Sequence, residues 1–151
     1  MIRYAVERYK DCIEELKPLL DMHYEEIAMY REHIEFDPDY DLYEKIDENG
    51  GLHMVVVRDE GRIIGYYVSF IHPNPHYKND LFSVNDILFI HPDYRGRTVA
   101  FRMLKFTEEK LKEMGVSVMT LHMKVDFPFE ELCIAFGMDK AEYLYTKYLG
   151  D

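Results

Sequence analysis

The sequence has little of what marks a secreted, membrane-spanning or nucleic-acid-binding chain. It holds only two cysteines, Cys12 and Cys133, too few for the disulfide framework of a small extracellular scaffold and in keeping with a reducing compartment. It has no long apolar run: the stretches at 87–90 and 116–118 are of strand length, far short of the roughly 20 residues that a membrane-crossing helix needs. Its start, Met1-Ile2-Arg3-Tyr4-Ala5-Val6-Glu7, lacks the apolar centre and small-residue cleavage site of a signal peptide. A soluble, cytoplasmic protein is expected. Positive charge is scarce, with 18 Lys plus Arg against 29 Asp plus Glu and a formal net charge of −11. That balance disfavours a phosphate backbone as ligand, so neither nucleic acid nor membrane is expected as a partner. No repeat, low-complexity tract or Pro/Gly/Ser-rich linker divides the chain. Its 151 residues, 48% of them hydrophobic, suffice for one core and one domain spanning 1–151.

What the chain does carry is a series of element signals. Residues 2–9 predict a first strand, and Ile13, Leu16, Leu20 and Ile27 fall on one helical face, with Pro18 expected to break or kink it. The acidic phrase Asp37-Pro38-Asp39-Tyr40-Asp41-Leu42-Tyr43-Glu44 suits a helix start, and Asn49-Gly50-Gly51 its end. Residues 52–58 and 62–72, rich in β-branched and aromatic side chains and joined by Asp59-Glu60-Gly61, read as a hairpin. A proline-marked loop at 73–80 and a strand at 81–90 follow. Ala100, Met103, Leu104, Thr107, Leu111 and Met114 recur at helical spacing up to Gly115. Then come a buried strand at 116–123, a short helix at 127–136 stopped by Gly137, and a final strand at 138–149 with alternating tyrosines. An antiparallel hairpin followed by strand-helix-strand-helix-strand gives an α+β or mixed-sheet α/β domain, not a doubly wound parallel one.

The junction from Ile87 to Ala100 holds the chemistry. A buried strand runs through His91-Pro92-Asp93-Tyr94 into a helix start, whose free amides form an anion site. From Arg95 to Thr107 the chain carries Arg95, Arg97, Arg102 and Lys105 and no carboxylate. Such a basic island is either a solvated helix face or the seat of a phosphate-bearing ligand, and its place beside the turn favours the second.

Arg95-Gly96-Arg97-Thr98-Val99-Ala100, after a strand and His91-Pro92-Asp93-Tyr94, resembles the acetyl-CoA motif Arg/Gln-x-x-Gly-x-Gly/Ala of the GNAT superfamily of N-acetyltransferases. The order of predicted elements is similar over essentially all 151 residues. The phrase Ala141-Glu142-Tyr143-Leu144-Tyr145-Thr146-Lys147-Tyr148 looks most like small bacteriophage-encoded members. The resemblance implies a mixed, mostly antiparallel sheet flanked by helices and splayed between its fourth and fifth strands. It also implies acetyl-CoA as co-substrate, no metal, and direct transfer to a primary amine in a ternary complex. The cofactor would lie along Leu88, Phe89 and Ile90, with its pyrophosphate on the amides of Arg95, Gly96, Arg97, Thr98, Val99 and Ala100.

There are two departures. Thr98 stands where the family has glycine; it either crowds the cofactor or keeps the amide and adds a hydroxyl donor, and the retained Ala100 and basic neighbours favour the donor. In Leu132-Cys133-Ile134-Ala135-Phe136-Gly137-Met138, Cys133 occupies the slot of a tyrosine that protonates the leaving thiolate. A cysteine is a shorter and weaker donor, and packing is the better account of it.

Asp86 falls on the strand before the motif, where similar transferases place an acidic residue. It is either the base that deprotonates the acceptor or a strand-end carboxylate facing solvent. His72 and His76 are separated by prolines and make no metal site. His122 either lines the acceptor side or is a satisfied core residue, and Tyr143 or Tyr145 is an alternative acid. Tyr24-Glu25-Glu26 with Asp37, Asp39, Asp41 and Glu44 would attract a cationic amine, or merely solvate a helix. An N-acetyltransferase is therefore expected. The alternative is a non-catalytic acyl-CoA-binding or protein-interaction module, and a homodimer is the assembly held open.

Overall fold

The computed structural model describes residues 1–96 and 98–150; Arg97, expected at the cofactor, lies outside the described residues. Five strands form one sheet in sequence order. β1 (Ile2–Val6), β2 (Leu52–Asp59), β3 (Arg62–Asn74) and β4 (Tyr77–Ile90) pair antiparallel in turn, and β5 (Val116–Met119) lies parallel to β4. Helices α1 (Tyr9–Ile27), α2 (Tyr40–Glu48), α3 (Val99–Glu113) and α4 (Glu130–Phe136) flank it, with a single 3-10 turn at Pro92–Tyr94.

β2 explains why both sheet faces are covered. Its run Met54-Val55-Val56-Val57 is buried on both sides, as a strand without polar alternation must be. Met54 and Val56 face one core with Tyr66, Val68 and Phe89 against Tyr9, Cys12 and Leu16 of α1. Val55 and Val57 face the other, with Tyr67 and Ile90 against Val99, Met103 and Leu104 of α3. Each such aliphatic side chain is worth about 1.5–3 kcal/mol when fully buried. α2 joins the first core through Tyr40, Tyr43 and Ile46, and α4 the second through Leu132 and Phe136.

Side chains place the acidic helix as expected: Asp39 is the N-cap of α2, accepting the Leu42 N–H at 2.9 Å. Arg8 and the Tyr9 N–H both bond Asp47, tying the two helices together.

Several expectations are corrected. The first strand stops at Val6, because Tyr9 already belongs to α1. α1 runs unbroken through Pro18, an exposed position where the carbonyl that loses its N–H partner can turn to solvent. Residues 73–80 form no loop. β3 and β4 extend almost to a tight tip, at which Asn74 Oδ1 accepts the His76 N–H. The strand expected at 116–123 is only four residues long and half exposed.

Residues 138–149 form no strand. Their alternation describes side chains, and a strand needs in addition a free edge and a face to bury. Here Leu144 and Tyr145 stand 87% and 88% exposed. The segment is held instead by Tyr148 stacked on His33 at 4.7 Å and by the Thr146 hydroxyl 2.9 Å from that of Tyr30.

Candidate functional site

The sheet opens where the site is built. β5 pairs only with Leu81–Ser83 of β4, and Thr120 after it makes the last ties, its N–H donating to the Ser83 carbonyl at 2.8 Å and its Oγ1 accepting the Asn85 N–H at 3.2 Å. Among the described residues, no strand pairs with that side of β4 beyond these ties. At the mouth of the opening, the β3–β4 register passes from Val68↔Ile87 to Ser69↔Asn85, leaving Asp86 as the extra residue of a β-bulge. A bulge turns two successive side chains to one face. Ile87 packs into the α1 core, and Asp86 on that same side accepts a hydrogen bond from the Tyr43 hydroxyl of α2 at 2.5 Å. Asn85 fastens the distortion, its Nδ2 donating to the carbonyls of Val68 and Ile87.

Asp86 is half-buried within this face and is not a solvent-facing strand end. Burial pushes its carboxyl above the usual carboxylate range, opposed by the Tyr43 hydrogen bond and the nearby His122. Burial and the neighbouring carboxylate likewise raise the Tyr43 phenol, which remains a neutral donor. His122 is open to solvent at its surface, yet enough protein surrounds it that its imidazole is held below its ordinary value, with Lys124 lowering it further. It faces Asp86 and is no core histidine.

A cavity of about 460 Å³ lies between α1, the 28–39 segment, α2 and the sheet. Tyr9, Tyr24, Tyr40, Tyr43, Tyr66 and Ile87 supply much of its wall, and Glu35, Asp37 and Asp39 its acidic side. Its size and its mixture of apolar wall with few polar groups are those of a small-molecule site. Below it, His23 Nδ1 lies 3.0 Å from the Tyr66 hydroxyl, and burial lowers the imidazole to about 4. Of the acidic residues expected to draw a cation, Asp37 and Asp39 line this cavity, whereas Glu25 pairs with Arg31 and Glu26 with Arg95.

At the far end of β4 the chain turns into α3. Gly96 has φ +75°, a left-handed conformation that glycine alone adopts without cost. Thr98 is the N-cap and its side chain makes no cap bond, so the amides of the first α3 turn point outward with no acidic side chain among them. Leu88, Phe89 and Ile90 turn their side chains into the two cores, leaving backbone as what β4 can offer a ligand. Gly65 on β3 lets this end close up: a Cβ there would stand 2.8 Å from the Phe89 carbonyl oxygen. Val99 is buried and Ala100 partly so. Arg95 does not reach freely into solvent. It donates to the Ile90 carbonyl and pairs with Glu26, while Lys105 pairs with Glu108, so the basic island is partly neutralised from outside its own segment.

Cys133 is half-buried on α4, its thiol raised by burial and by Glu130. Tyr143 and Tyr145 are exposed and share no strand face. No group of three or more potential metal ligands occurs among the described residues. Sequence reasoning missed Tyr43, Tyr9, Tyr66 and His23. Only the helical spacing of Tyr40, Tyr43 and Ile46 hinted that Tyr43 faces inward.

Residues 14–128 match the acetyltransferase (GNAT) family. No curated protein sequence matches the chain. The fold is similar to a ribosomal-protein-alanine N-acetyltransferase from Brucella melitensis biovar Abortus 2308, at 20% identity and TM-score 0.71 over 99% of this chain and 100% of that one. It is also similar to an aminoglycoside acetyltransferase from an uncultured soil metagenomic sample, solved with sisomicin, at 11% identity and TM-score 0.78 over 99% and 97%. A third similar structure is a predicted acetyltransferase with acetyl-CoA from Clostridium acetobutylicum, at 16% identity and TM-score 0.75 over 99% and 97%. With three quarters of its length matched and the open β4–β5 sheet in place, the chain belongs to the acetyltransferase (GNAT) family.

Proposed function

We propose that residues 1–151 form one catalytic domain that transfers the acetyl group of acetyl-CoA to a primary amine by direct attack. The observation that carries this reading is the placement of two different sites along β4. The bulge turns Asp86 to the side of β4 that holds the tyrosine-walled cavity, where it accepts from the Tyr43 hydroxyl that lines the wall. A few residues later the same strand runs into a turn and an uncapped helix start suited to a pyrophosphate. Leu88 to Ile90 would offer backbone to the pantetheine, and the amides from Arg95 to Ala100 the pyrophosphate site, with the Thr98 hydroxyl as an added donor. Asp86 would serve as the base that takes the acceptor's proton, and a backbone amide of β4 would polarise the thioester carbonyl.

Glu35, Asp37 and Asp39 at the cavity favour a cationic acceptor. A cytoplasmic setting rests on the two unpaired cysteines, and a bacteriophage origin on the resemblance of the C-terminal phrase. Calorimetry with CoA, followed by CoA release with spermidine, a lysine-rich peptide, sisomicin and an acidic peptide at low and high salt, tests the proposal. Binding with turnover of the cations that weakens as salt rises is expected. A preference for the acidic peptide removes the cationic acceptor, and binding without turnover of any amine favours the non-catalytic module to which Thr98 and Cys133 point.

A further inference from the structure

We propose that Tyr43 is a second catalytic residue: its hydroxyl oxygen takes a proton from the acceptor's ammonium group as it passes its own proton to Asp86. The inference rests on Asp86 acting as the base and goes a step past it. Among the described residues, Tyr43 and Ile87 line the 460 Å³ cavity and Asp86 does not; the carboxylate stands behind the phenol. An amine seated there meets the tyrosine first.

The geometry suits a relay. The Tyr43 hydroxyl donates to Asp86 Oδ2 at 2.5 Å, the short distance of a charge-assisted bond. That leaves the phenol's lone pairs directed away from the carboxylate as acceptors. The ring is fixed by stacking on Tyr9 at 5.4 Å and Phe70 at 5.9 Å, so the hydroxyl is held in place. Asp86 is fixed in turn by the bulge that Asn85 fastens. One N–H bond of the ammonium breaks and one O–H bond forms on Tyr43, while the original Tyr43 proton moves to Asp86. The phenol is neutral before and after. The neutral amine then forms the C–N bond as the C–S bond breaks, and its second proton leaves on the CoA thiol.

Three further titratable groups face the pair: Tyr9 from α1, Tyr66 from β3 and His122 from the segment after β5. Both phenols are pushed up by burial and stay neutral. His122 is therefore the control.

The test compares Tyr43→Phe, Asp86→Asn, the double variant and His122→Gln in kcat/KM for the fastest amine of the panel above, against pH, with acetyl-CoA affinity and melting temperature alongside. A relay predicts that each of the first two loses about 10²-fold or more at the pH plateau. It also predicts a double variant about as impaired as either single, because the two groups act as one unit, with acetyl-CoA affinity kept and His122→Gln near the parent. If Tyr43→Phe keeps the plateau rate and only moves the acid limb upward, Tyr43 merely tunes Asp86 and the relay is overturned. Loss in Tyr43→Phe with full activity in Asp86→Asn overturns both the relay and the base on which it rests. Loss in Asp86→Asn alone overturns the relay and leaves the base standing. Should the Phe variant melt apart, 4-fluorophenylalanine at position 43 fills the space of the hydroxyl with a group that has no proton to pass, and a plateau rate equal to the parent's then overturns the proposal.

Discussion

Arg95 reaches from the turn ahead of α3 to Glu26 in the last turns of α1, its Nη2 2.9 Å from both carboxylate oxygens while its Nε donates to the Ile90 carbonyl at 2.7 Å. The residue expected to meet a phosphate is thus already shared with a carboxylate. Glu26→Gln keeps the shape and removes the competing charge. It is expected to tighten CoA binding about two- to fivefold at low salt, the scale of one exposed ion pair, with the difference closing at high salt. Calorimetry at two ionic strengths measures it. Equal or weaker affinity in the variant would show that Arg95 does not serve the phosphate.

Asp86→Asn is expected to lower turnover by roughly 10²–10⁴-fold with acetyl-CoA affinity nearly unchanged. Burial outweighs the Tyr43 bond, so the carboxyl titrates above its ordinary value of about 3.9. The base is therefore lost as pH falls through a value higher than that of an exposed aspartate. A pH profile of kcat/KM reads this acid limb directly. A limb that persists unchanged in Asp86→Asn would assign it to another group.

His23 makes a prediction about stability. Its imidazole falls from 6.5 to about 4 in the fold, so below 6.5 the unfolded chain binds the proton more readily than the folded one. Stability is full above pH 6.5 and declines as pH drops toward 4, by on the order of 3 kcal/mol in all. Urea unfolding of the parent and of His23→Phe at several pH values isolates this contribution, since the phenylalanine variant lacks it. Parallel curves would mean that the imidazole already takes a proton inside the fold.

Cys133 is expected to prove a packing residue. Leu132 and Phe136 on the same short helix turn toward the α3 core, and the cysteine between them is half-buried beside Glu130. Cys133→Ala should cost about 1 kcal/mol or less and leave turnover within about threefold of the parent. A large rate loss at unchanged melting temperature would make the thiol the proton donor.

The helix from Val99 and the hairpin of β2 and β3 were legible because period alone determines them: apolar residues every third or fourth position, or a β-branched run ending at Asp59-Glu60-Gly61. Asp86 was legible as a carboxylate in the right strand. Its bulge was not, because nothing in Asn85-Asp86-Ile87 announces a break in pairing; that break depends on what β3 offers opposite. Tyr43 escaped for a related reason. Its value comes from a residue 43 positions away on another element, and single-sequence periodicity reports only a residue's own neighbours. The tyrosines of 138–149 misled in the opposite sense, since their alternation was real and lacked a partner edge.

The extra residue at Asp86 stands outside the pairing on either side of it. Side chains along β4 alternate between the face that holds the cavity and the face that meets α3, and the bulge advances that alternation by one step. Deleting Asp86 would restore a regular ladder and leave Ile87, Leu88, Phe89 and Ile90 opposite Val68, Tyr67, Tyr66 and Gly65, each on the face it already occupies. The ladder does not need this residue, so its loss would remove the carboxylate beside Tyr43 and leave both cores packed. A chain one residue shorter at this point is therefore expected to fold as before and to differ from the parent in its site alone.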